Sequence, residues 1–131
     1  MTRRQEIENI IIGTILNNYC GEDYFSDCKS CITANMFSDE RNRMIYNKAI
    51  EMRNAGHLNI TPFDVVKYDT AMFELAPYMC ELSVYWYFLS KKVDYNERQW
   101  LWSLSHDYKP RYTEVTFSDY VNRFIQIVFS S

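Results

Sequence analysis

Between Gln5 and Tyr19, Ile7, Ile11 and Ile15 recur at four-residue steps, with Ile10, Leu16 and Tyr19 beside them. That spacing lays a broad apolar stripe along a helix and predicts the first element. The run Ile10-Ile11-Ile12 alone would also suit a strand, but Glu6, Glu8, Asn17 and Asn18 follow the helical period better than strict alternation. Gly21 and Asp23 break the pattern. A short second helix over 24–32 would put Phe25, Cys28 and either Cys31 or Ile32 on one face, followed by a connector at Thr33-Ala34-Asn35.

Ser38 is a suitable N-cap for the next helix, with Asp39 and Glu40 where the helix dipole favours negative charge. Met44, Ile45, Ala49, Ile50 and Met52 continue the stripe to Ala55, and Gly56 stops it, because glycine takes a left-handed C′ conformation at little cost. The strongest start signal is Thr61-Pro62-Phe63-Asp64: a threonine cap, proline at the first position, an acid at the third, and Ile60 placed to meet Val65 as a hydrophobic staple. A helix over 62–68 follows. The aromatic-rich stretch 70–93 contains Pro77, which marks either a kink or a first turn. A further helix is expected over 95–105, a turn at Lys109-Pro110-Arg111, and a last helix over 118–129 built on Tyr120, Phe124, Ile127 and Val128.

Composition agrees with helices. Only 3 Gly and 3 Pro occur in 131 residues, which leaves few sites for tight turns. Apolar types make up 47% and aromatics 17%, enough for one domain's core with some aromatic surface left for a partner. The expected fold is all-α: a compact multi-helix bundle with a carboxy-terminal helical hairpin or extension. A net charge of −3 repels a phosphate backbone and argues against nucleic acid as a direct ligand. The amino terminus shows no signal peptide and no window is apolar enough to span a membrane, so a cytoplasmic protein with reduced cysteines is expected.

The residues offer little chemistry. Gly13, Gly21 and Gly56 stand alone, so neither a phosphate-cradling loop nor a dinucleotide fingerprint can form, and no nucleophile elbow is present. No catalytic residue and no cofactor are expected. Cys28-Lys29-Ser30-Cys31 has the spacing of a zinc knuckle, with Cys20, Cys80, His57 and His106 as further donors. A single such pair without a second knuckle reads better as small buried side chains than as a metal or redox site. The greatest binding potential lies in Tyr85, Trp86 and Phe88, in Trp100 and Trp102, and in Tyr120 and Phe124 of the last helix. Most of these aromatics would serve the core, and the remainder would anchor a protein partner. Arg41, Arg43, Lys48 and Arg53 form the alternative, a DNA-binding face, although their alternation with Asp39, Glu40 and Glu51 looks more like a solvated one.

Three segments carry a family resemblance. Glu6-Ile7-Glu8-Asn9-Ile10-Ile11-Ile12-Gly13-Thr14-Ile15-Leu16 resembles the opening E-x-E-x-x-apolar-apolar-G-x-apolar-apolar pattern of the amino-terminal domain of DnaB-type replicative helicases. Met36-Phe37 with Glu40-Arg41-Asn42-Arg43-Met44-Ile45-Tyr46 is similar to its next segment, except that Arg43 stands where the family usually has histidine, so no role of that histidine carries over. Residues 56–66 resemble its third element. On this resemblance, 1–68 form a helicase-like head and 69–131 an aromatic-rich helical extension, within which 78–82 and 120–128 would correspond to the family's helical hairpin.

The resemblance implies a domain that self-associates in helicase rings and docks primase or loader proteins, while ATP hydrolysis resides in a separate motor. The chain would be either a piece of a helicase or a free-standing relative that mimics or blocks helicase assembly. Its end at Ser131 without a charged linker favours the second.

Overall fold

The computed structural model describes residues 2–16, 24–83 and 117–130, all helical or connecting, with no strand among them. The predicted helix over 95–105 and the turn at 109–111 lie outside the described residues.

Helix α1 spans Arg3–Ile15. It starts two residues earlier than the apolar stripe suggests because Thr2 caps it: the Thr2 hydroxyl accepts from the Gln5 amide (3.2 Å) and the Gln5 side chain accepts from the Thr2 amide (3.0 Å). Beyond the first turn α1 is buried almost all round, from Ile10 through Leu16 without a break. A helix of this kind sits at the centre of a bundle, and its isoleucines hold it there. Burying each contributes about 2 kcal/mol, roughly twice what a cap supplies.

Helix α2, Tyr24–Lys29, buries Phe25 and Cys28, and the apolar side continues to Ile32, while Cys31 is exposed. A 3-10 turn at Ala34–Met36 then delivers Phe37 to the interior. The centre is aromatic. Tyr46 lies 5.7 Å from Phe25 and 5.0 Å from Phe37, and Phe37 stacks on Phe124 at 5.1 Å between ring centroids. The buried Tyr46 hydroxyl donates to the Ile32 carbonyl at 2.8 Å, and burial raises its ionisation above the usual tyrosine range.

Helix α3, Glu40–Asn54, is capped by Asp39 in place of the expected Ser38. The Asp39 carboxylate accepts from the Arg41 amide at 2.8 Å, because the Ser38 hydroxyl is already committed to Glu8. Asn42, Ile45, Tyr46, Ala49 and Met52 form the buried face. Of the expected stripe, Ile50 is only partly covered and Met44 is 47% exposed: the helix turns a polar Asn42 inward and an apolar Met44 outward. At the far end Gly56 has φ +91°, with its amide donating to Arg53 and the His57 amide to Met52, both at 3.0 Å. That pair of bonds is a Schellman motif, and it requires the left-handed backbone glycine allows.

Helix α4, Pro62–Tyr68, carries the reciprocal Thr61–Asp64 cap, with Ile60 and Val65 both buried beside it. A 3-10 segment, Thr70–Leu75, leads into a helical stretch at 76–83, which places Pro77 in a first turn, where its missing amide costs nothing. The last helix, α5, is Phe117–Ser130. It packs mainly against α1, with Phe117, Tyr120, Val121 and Phe124 inward.

Candidate partner-binding surface

Two polar clusters hold α1 against the start of α3. The Glu8 side chain is completely buried. It accepts from the Ser38 amide at 2.9 Å, from the Ser38 hydroxyl and from the Asp39 amide at 3.3 Å, with the Arg4 guanidinium 3.5 Å away. A buried carboxylate is tolerated only when paired in this way. Arg4 also donates to the Met36 carbonyl at 2.8 Å, tying the same corner to the 3-10 turn.

One helical turn away, the buried Asn42 amide donates to Asn9 at 3.1 Å and its oxygen accepts from the Tyr78 hydroxyl at 2.6 Å. Tyr78 is thereby joined to both helices from the stretch 76–83, and partial burial pushes its ionisation up to about 12. Arg41 covers the Tyr78 ring at 3.8 Å while its guanidinium holds Asp39 at 2.9 Å. That hydrogen bond keeps the Asp39 carboxyl below its usual range.

The four basic residues of α3 are therefore engaged within the chain. Arg41 serves Asp39 and Tyr78, and Arg43 donates to the Phe37 and Ser38 carbonyls at 2.9 and 3.1 Å. Lys48 bridges Glu51 at 2.7 Å and Asp69 at 2.8 Å, which raises the lysine above its ordinary range and lowers Asp69. Arg53 donates to the Leu58 carbonyl at 3.1 Å and lies over the Phe25 ring at 5.2 Å.

Of the aromatic candidates, Tyr120 and Phe124 point into the core at 1% and 0% exposure. Tyr85, Trp86, Phe88, Trp100 and Trp102 lie outside the described residues. Large apolar side chains that do reach the surface include Leu58, Phe63, Phe73 and Phe129, each about 70% exposed. Among the described residues no group of three His, Cys, Asp or Glu side chains gathers as a metal would need; Cys28 is buried and Cys31 turns outward. No described helix is long and apolar enough to cross a membrane.

Residues 1–71 match the family model described as the DnaB-like helicase N terminal domain. The chain belongs to that family. The match runs from the Thr2 cap through α4 into the 3-10 segment, so both buried polar clusters tie together elements of the DnaB-like region, with Tyr78 contributed from just beyond it. The second acid of the E-x-E pattern is the buried Glu8, which gives that position a physical reason. Neither a curated protein nor a solved structure matches the chain.

Neither Glu8 nor Asn42 is among the candidate residues that the sequence offers. A signal was present: Glu8 has Ile11, Ile12 and Ile15 at three, four and seven residues on, and Asn42 has Ile45, Tyr46 and Ala49 at the same offsets. A polar residue in register with an apolar face is a candidate for a buried, paired one.

Proposed function

We propose that this DnaB-like helicase N-terminal domain acts by protein contact alone, associating with itself and docking a replicative helicase, primase or loader-type partner during DNA replication. The observation that carries the reading is the family match over residues 1–71. The contact surface is assigned to the aromatic residues of the carboxy-terminal half, Tyr85, Trp86, Phe88, Trp100, Trp102, Tyr120 and Phe124. Residues 1–68 form the helicase-like head, and 69–131 the aromatic-rich helical extension. Large aromatics are the usual anchors of protein interfaces, which supports that assignment. The internal engagement of Arg41, Arg43, Lys48 and Arg53 disfavours the alternative of direct DNA binding.

Sedimentation velocity of the full chain tests the reading, alone over a concentration series and mixed with each candidate partner. A mass that grows with concentration, or co-sedimentation with helicase, primase or loader, is expected. A strict monomer at high micromolar concentration that binds none of them contradicts it.

A further inference from the structure

A groove of about 630 Å³ runs beside α3 and is closed on its other side by the 3-10 segment; Met44, Ile50, Ala71 and Met72 form its apolar part. Met44 is 47% exposed there, and Phe73, next in the chain to Met72, is 69% exposed. An apolar trough with exposed side chains at its edge is the kind of surface that a partner covers.

Its rim is acidic. Lys48, Glu51 and Asp69 line the groove, and the single ammonium is already shared between the two carboxylates. Two carboxylates thus stand against one amine beside an apolar floor, which leaves the rim with one negative charge in excess. From Met44 to Asn54 the α3 wall is about 15 Å long, enough for three turns of a docked helix with anchors at i, i+3 or i+4, and i+7.

We propose that this groove is a docking site for an amphipathic helix of a partner protein, one whose apolar stripe is flanked by lysine or arginine. The proposal rests on the protein-contact reading above and names the chemistry of the partner. Apolar anchors fill the space between Met44 and Met72, while basic flanks meet Glu51 and Asp69, so binding weakens as salt screens the rim.

The test uses the full chain with two synthetic amphipathic helices, one of Leu and Lys and one of Leu and Glu, followed through the methionine methyl signals by NMR. The Leu/Lys helix is expected to bind and shift the Met44 and Met72 methyls, and the Leu/Glu helix to bind at least about tenfold more weakly. Met44→Gln and Glu51→Lys each weaken the Leu/Lys helix, whereas Phe129→Ser, on α5, leaves it unchanged. Equal binding of both helices, or binding that leaves the Met44 methyl unmoved, overturns the proposal. So does a groove already filled by a second copy or by another part of the chain, seen as Met44 and Met72 methyls that respond to dilution or to neither peptide. Co-sedimentation with a replication protein that leaves these methyls unmoved removes the groove and keeps the docking reading. Peptide binding at the groove without any such co-sedimentation does the reverse.

Discussion

Glu8 and Ser38 are thirty residues apart in the chain, yet the Glu8 carboxylate takes both the amide and the hydroxyl of Ser38. This relationship explains why α3 is capped by Asp39, and it fixes the start of α3 against the centre of α1. Glu8→Ala removes the acceptor and leaves the Ser38 amide and the Arg4 guanidinium without their partner, so it is expected to destabilise the fold by about 3 kcal/mol. Glu8→Gln retains an acceptor and is expected to cost about half as much. Urea unfolding midpoints measure both, and a loss below about 0.5 kcal/mol for Glu8→Ala, the range of an ordinary surface substitution, contradicts the arrangement.

Tyr78 gives the fold an alkaline dependence. Its phenol ionises near about 12 in the folded chain and near about 10 when unfolded, so between these values the unfolded state binds fewer protons. Stability is therefore complete below about pH 10 and declines as pH rises toward about 12. The buried Tyr46 acts in the same direction. Tyr78→Phe is expected to make the decline shallower without abolishing it, as read by chemical denaturation across that range. An unchanged slope shows that Tyr78 titrates alike in both states.

Gly56 ends α3 at φ +91°, and a Cβ built there meets nothing within 4 Å. Any cost of Gly56→Ala is then backbone strain alone, expected at about 1 kcal/mol, with Gly56→Asn milder because asparagine tolerates the left-handed region better. Thermal unfolding of the two variants checks the order.

These features differ in how far the sequence discloses them. The Thr61-Pro62-Asp64 start and the Gly56 stop are local, set by side chains bonding to amides within the same turn, and periodicity and capping rules read them directly. Met44 and Asn42 exchange their expected places because facing depends on what packs opposite: Asn9 and Tyr78 supply partners for an inward amide. The same holds for Ser38, a reasonable cap by itself that is diverted by Glu8 from another helix. Tyr120 and Phe124 look like interface anchors in one dimension, but α5 returns to α1 and spends them on the core. The groove beside Met44 has no linear signature, since its two walls come from elements separated in the chain by α4 and the connections on either side of it.

The basic residues of α3 yield a prediction about DNA. Because Arg41, Arg43, Lys48 and Arg53 are each engaged by a carboxylate or a carbonyl of the chain, fluorescence anisotropy at low salt is expected to show no binding of labelled single- or double-stranded DNA. Affinity that falls steeply and linearly on a log–log plot against salt would establish a phosphate-binding face instead.

The most direct measurement adds the full chain to its cognate replicative helicase and follows the assembly by native mass spectrometry. Either mixed complexes or a loss of intact helicase rings in proportion to the added chain is expected. A helicase profile that stays unchanged at excess, with the added chain monomeric throughout, would contradict a domain that works by contact with the replication machinery.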